Sequence, residues 1–141
     1  RMLNDYLDIQ SGEVIDLGLE VDLVVNKNEN TADIIKSVVQ QTSSFFSIDK
    51  KKMGDPLLVG DLKTQIGNVV GVVNVIDIRV FNKIGGEYSS AQVAQSYIDE
   101  TTKEISQVES TIYMKSNQIY QVRFPNTDIK VRIKTLTSTT Y

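Results

Sequence analysis

Apolar and polar residues alternate from Leu17 to Val25, with Leu17, Leu19, Val21, Leu23 and Val25 separated by Gly18, Glu20 and Asp22 among others. Period two over this length predicts a strand with one buried and one solvated face, ending near Asn26-Lys27-Asn28. The period then changes. Ile34, Ile35, Val38, Val39, Thr42, Phe45 and Phe46 recur at three- and four-residue steps, the spacing of a helix with one apolar face. Asn30 stands where an N-cap belongs, and Asp33 falls in the first turn, where the helix dipole favours a negative charge. Lys50-Lys51-Lys52-Met53-Gly54-Asp55-Pro56 breaks the pattern. A shorter helix is expected from Asp61 to Val69, with Val59, Leu62, Ile66 and Val69 inward. After Gly71, the segment Val72 to Phe81 is apolar at nearly every position before Asp77. A continuous apolar run predicts the most central strand of a sheet.

Weaker patterns occupy the second half. Gly85-Gly86 marks a turn. Ser89 and Gln92 have the spacing of a capping box, and Val93, Tyr97, Ile98, Thr101 and Ile105 give a third helix a thin apolar stripe. Three strand-like pieces follow, Thr111 to Met114, Ile119 to Phe124 and Ile129 to Leu136, with turns at Ser116-Asn117 and Pro125-Asn126-Thr127-Asp128. The expected fold is α+β: a small mixed sheet with two to three helices packed on it and a C-terminal β-meander. Residues 1–14 read as a lead-in arm and 15–141 as a single assembly domain. The opening Arg1-Met2-Leu3 reads as the interior of a longer protein.

Composition narrows the chemistry. The 141 residues are 40% hydrophobic, enough for one core. A net charge of -3 gives no global attraction to nucleic acid or an anionic membrane, and no apolar run is long enough to span a bilayer. There is no Cys and no His. Disulfides and thiolate or imidazole metal sites are therefore excluded. The commonest general base and the most reactive nucleophile are missing too, which lowers the expectation of catalysis. No cofactor is implied.

Each charged cluster has a plain reading that outweighs the functional one. Asp99, Glu100 and Glu104 on the expected third helix suggest an acid/base pair or a calcium site. A solvated face with an Asp99–Lys103 pair explains them more simply. Lys50, Lys51 and Lys52 lack the interleaved aromatic or Arg residues of a nucleic-acid surface and read as a solvated loop, with docking to an acidic partner as the lesser alternative. Lys130, Arg132 and Lys134, with Arg123 close by in sequence, form a basic stripe that suits either a solvated face or an electrostatic subunit interface. Of Phe45 and Phe46, one ring is expected in the core and the other free to reach a partner. Tyr88, Tyr97, Tyr113 and Tyr120 are candidate anchors, because Tyr is enriched at interface hot spots. The candidate interface set is thus Phe46, Tyr88, Tyr97, Tyr113, Tyr120 and Arg132.

Between Leu17 and Val80 the order of elements resembles a known family. An alternating strand leads to a helix ending in Phe45-Phe46. Then come Gly54-Asp55-Pro56-Leu57, a short helix with Leu62 and Ile66, and Val69-Val70-Gly71-Val72-Val73-Asn74-Val75. This order is similar to the C-terminal part of the baseplate J-like family, in particular the baseplate wedge proteins of T-even-type phages. The likeness covers a little under half of the chain, and no single motif is diagnostic. It implies a structural protein of a contractile tail baseplate, carried in the virion and assembled in the host cytoplasm. Such a protein pairs with copies of itself, a dimer being the expected form, and holds other baseplate proteins, with no nucleic acid or membrane among its partners. The family offers no catalytic residues to transfer. Two other classes compete: a peptide- or ligand-binding module of a bacterial envelope or secretion assembly, and, far behind, a carboxylate hydrolase using Asp99 or Glu104.

Overall fold

The computed structural model describes residues 12–26, 28–47 and 52–134. Strand β1 (Glu13–Val25) is the spine of a four-stranded mixed sheet. Helix α1 (Thr31–Phe45) follows, capped by the Asn30 side chain, which accepts from the amides of Ala32 (2.9 Å) and Asp33 (3.3 Å). A two-residue strand β2 (Leu57–Leu58) runs into helix α2 (Val59–Gly67). Strand β3 (Val72–Lys83) then returns antiparallel along one edge of β1. After a long irregular segment come β4 (Thr111–Ile112), β5 (Gln118–Gln121), the one-turn helix α3 (Pro125–Asp128) and β6 (Ile129–Ile133). The fold is α+β, as the alternation of periods implies.

Ile15, Leu17, Leu19, Val21 and Leu23 of β1 meet Val80, Ile78 and Val75 of β3, Tyr120 of β5 and Ile129 of β6 in one buried layer. Ile34 and Val38 of α1, with Val59, Leu62 and Ile66 of α2, close it from above. Thr42 is buried with them, and its hydroxyl is satisfied by the Val38 carbonyl at 2.7 Å. Gly71 is required where it stands. Its φ is +96°, and a Cβ there would lie 2.7 Å from Cδ1 of Ile34.

Four expectations are corrected. The central strand is β1, not β3; β1 has β3 on one side and β5 and β6 on the other, and even its second face buries Asp16 and Asp22. The apolar run in β3 has a different cause. Register shifts between Asp22 and Leu23, and between Val24 and Val25, leave Ile76 and Val73 without a partner in β1, so each is the extra residue of a bulge. Secondly, the helix expected from Val93 to Ile105 does not form. Residues 97–106 fold back on themselves through an Ile98–Ile105 bridge, with only a 3-10 turn at Gln95–Tyr97 before it. Turn chemistry has overridden the apolar spacing: the Asp99 carboxylate accepts from the amides of Thr101 (2.8 Å) and Thr102 (3.1 Å). Thirdly, the C-terminal strands form no meander. Both β5 and β6 lie parallel to β1, one behind the other along the same edge, while β4 pairs with β2. Pro125, at the first helical position, starts the single turn that separates them. Lastly, Glu13 and Val14, expected in the arm, already belong to β1. Residues 1–11 of that arm, Lys50, Lys51 and the residues from Thr135 onward lie outside the described residues.

Candidate functional site

The free edge of β3 is the first place to look, because β1 has no free edge over most of its length. From Ile78 to Asn82 that edge is covered. The amide of Ile105 donates to Val80, Asn82 donates to Lys103, and the Gln107 side chain reaches the Ile78 carbonyl at 2.9 Å. Beyond Ile78 the covering segment leaves, turning at Glu109 and Ser110, both with positive φ, towards β4. The stretch that the described residues leave uncovered carries the bulge residues. Val73 is 64% exposed and Ile76 43%, and Val70 in the preceding turn is 81% exposed. Val73, Asn74 and Val75 also line a shallow groove against Gly60, Lys63, Thr64 and Gly67 of α2.

The second face of the sheet is ionic. Arg79 on β3 and Arg132 on β6 approach β1 from opposite sides. Glu20 accepts from Nη2 of both, at 2.9 and 3.1 Å, while Asp22 accepts from Arg79 at 3.4 Å and Arg132 at 3.1 Å. Asp77 adds a further contact to Arg79 at 3.2 Å. Burial works against the Arg79 charge, but Asp22, Glu20 and Asp77 outweigh it and raise its pKa. The two guanidiniums thereby compensate a nearly buried Asp22 carboxylate.

At the other end of the sheet three buried polar side chains, Asp16 on the ionic face and Asn82 and Gln118 on the apolar one, hold the irregular segment 84–107. Asp16 accepts from the Ser89 amide at 2.7 Å and from Gln121 at 2.6 Å. Asn82 donates to the Ala91 carbonyl and accepts from the Val93 amide. Gln118 donates to Glu13 and to the Gln92 carbonyl, and accepts from the Lys115 amide.

The candidates named from the sequence fall in different environments. Phe46 is buried, packed edge-on against Phe45 and against Tyr120, which lies in the same core layer. Burial, with the Asp55 charge, pushes the Tyr120 hydroxyl up to about 12. Tyr88 is half-buried and donates to both oxygens of Asp128, at 2.9 and 3.0 Å; burial first, and that bond second, raise its pKa. Tyr97 packs half-buried at the margin of the core, and Tyr113 is exposed beside β4. The Arg132 guanidinium is engaged with Glu20 and Asp22 of its own chain. The fold does not gather the six into one patch.

Among the described residues no group of three or more acidic side chains could hold a metal ion. The Asp99 carboxylate is spent on the amides of Thr102 and Thr101, which hold its pKa below the ordinary value. No helix among the described residues is long and apolar enough to cross a membrane. The apolar trio Val70, Val73 and Ile76 was missed from sequence, although its signal was there. Two adjacent apolar pairs, Val72-Val73 and Val75-Ile76, interrupt strict alternation, and that is how a bulged strand reads. No family model matches the chain, and no curated protein matches it by sequence.

Proposed function

We propose that this chain is a non-catalytic assembly module, a structural component of a contractile phage tail baseplate that associates with itself and with neighbouring wedge proteins. One observation carries the reading: the half of the β3 edge that the described residues leave uncovered, where two bulge residues, Val73 and Ile76, are exposed, as is Val70 in the preceding turn. Water-exposed aliphatic residues grouped at an open strand edge are what a partner chain covers. From Leu17 to Val80, the segment that carries the baseplate resemblance, the fold runs strand, helix, two-residue strand, short helix, strand. A chain without His or Cys is in keeping with a role that needs no chemistry.

The test is light scattering coupled to size exclusion over a range of concentrations, on the native sequence and on Val73→Asp/Ile76→Asp. We expect a defined oligomer, a dimer in the first instance, that the double substitution converts to monomer without loss of fold. A native chain that stays monomeric throughout would remove self-association from the proposal. The same edge would then serve an extended peptide from a different chain, as in the envelope or secretion reading.

A further inference from the structure

We propose that the cleft above Gly18 is a binding site for a carboxylate carried on an apolar body. The cleft has a volume of about 480 Å³ and lies on the second face of the sheet, well away from the open end of β3. Its floor is the row Phe81, Gly18, Asp128, cross-strand neighbours on β3, β1 and the end of α3.

Gly18 lets the Lys83 chain lie across this floor. A Cβ there would stand 3.0 Å from Cδ of Lys83 and 3.3 Å from its Cγ, so any other residue fills the floor and displaces the Lys83 chain. The glycine is not needed for its backbone, since it has no positive φ. What remains is room.

Three lysines line that room: Lys83 from β3, Lys130 from β6, and Lys103 from the hairpin that covers the β3 edge. None of them has an ion pair among the described residues. The two carboxylates of the cleft are engaged elsewhere. Glu20, directly opposite Lys130 in the register, accepts from Arg79 and Arg132 instead. Asp128 is buried, and both its oxygens accept from the Tyr88 hydroxyl. The ionic network next door thus absorbs Glu20, and the three lysines of the cleft outnumber its one remaining carboxylate, Asp128.

The shape of the lining selects among anions. No arginine fork reaches into the cleft, so the bidentate recognition typical of phosphate is missing. Phe81, Ile84 and the ring of Tyr88 offer apolar wall beside the amines, with the Lys83 ammonium 5.6 Å from the Tyr88 ring centre. Lysine point charges next to aromatic wall suit a single carboxylate on an aromatic or aliphatic body.

Nitrogen-15 NMR on the whole chain tests this, with benzoate as probe and acetate and inorganic phosphate as controls. Benzoate should give saturable shifts centred on Gly18, Phe81, Ile84 and Lys103, more tightly than either control. The pair Lys83→Gln/Lys130→Gln should weaken it by about tenfold, with an otherwise unchanged spectrum. Gly18→Val should abolish it; should that variant fail to fold, the lysine pair decides alone. A parallel titration with N-acetyl-Phe-Glu tells a free acid from a peptide carboxylate by which binds tighter, and either ranking supports the site. Shifts scattered over the surface, phosphate binding as tightly as benzoate, or an affinity indifferent to the lysine pair would overturn the proposal.

Discussion

The layer under α1 and α2 and the segment 84–107 are both ordered, but by different forces. In the first, aliphatic side chains from five strands and helices interlock, and scarcely a polar atom intervenes. In the second there is hardly any regular structure to carry hydrogen bonds from residue to residue. Asp16, Asn82 and Gln118 instead reach out from the strands and take up its backbone groups one by one. A buried polar side chain is costly unless paired. Here the pairing partner is the loop itself, so the loop's conformation and the burial of these three residues depend on each other. Apolar layers tolerate a lost contact by degrees, whereas this segment, which lends Val93 and Ile105 to the core, owes its backbone path to a few discrete bonds.

Three experiments probe that contrast. Leu62, wholly buried on α2, belongs to the apolar layer; Leu62→Ala should cost about 3–4 kcal/mol in urea unfolding and speed amide exchange across the whole fold. Confinement of the faster exchange to 84–107 would contradict a shared core. The next effect is one of alkali. The Tyr120 hydroxyl rises from 10.0 to about 12 in the folded chain, so the folded state keeps its proton longer than the unfolded state. The associated stability, about 2–3 kcal/mol, is fully present below pH 10 and lost as pH climbs from about 10 to about 12. Tyr120→Phe should lack that share of the alkaline slope; parallel curves for the two proteins would refute the assignment. The smallest effect should come from Asn82→Ala, at about 2 kcal/mol. It should open the segment around Val93 and Ile105 to exchange while α1 stays protected. Equal loss of protection in α1 would merge the two regions into one.

The division also explains what could be read from the sequence. The first half was legible because its elements obey one periodicity each: alternation in β1, three-and-four spacing in α1 and α2, a cap at Asn30 and a forced glycine at 71. The helix expected after Ser89 failed because Val93, Tyr97, Ile98 and Ile105 are spaced for a helix yet contact the core from a hairpin. The decisive groups, Asp99 with two following Thr amides and Asn82 with the Val93 amide, act through pairs that no period encodes. Strand order escaped for a related reason. β5 is short and β6 alternates, but neither announces which neighbour it will find or that both will lie parallel to the first strand. Of the candidate site, the aromatic residues were visible as types and the bulges only as a stutter in β3. Gly18 passed for a mere spacer in an alternating strand, Lys103 for the helical partner of Asp99, and Lys83 had no pattern at all.

The placement of β5 and β6 beside β1 has a consequence in time. Glu13 and Gln118, neighbours in the sheet, are separated by 105 positions in the chain, and Asp22 and Arg132 by 110. Closing so long a loop is slow compared with forming a hairpin or a helix. During synthesis β3 follows β1 by some sixty residues, yet the other flank of β1 waits for strands more than a hundred residues further on. Until then Asp16 and Asp22 lack partners that only the late strands bring. A chain interrupted between β3 and β5 would therefore leave that flank of β1 open.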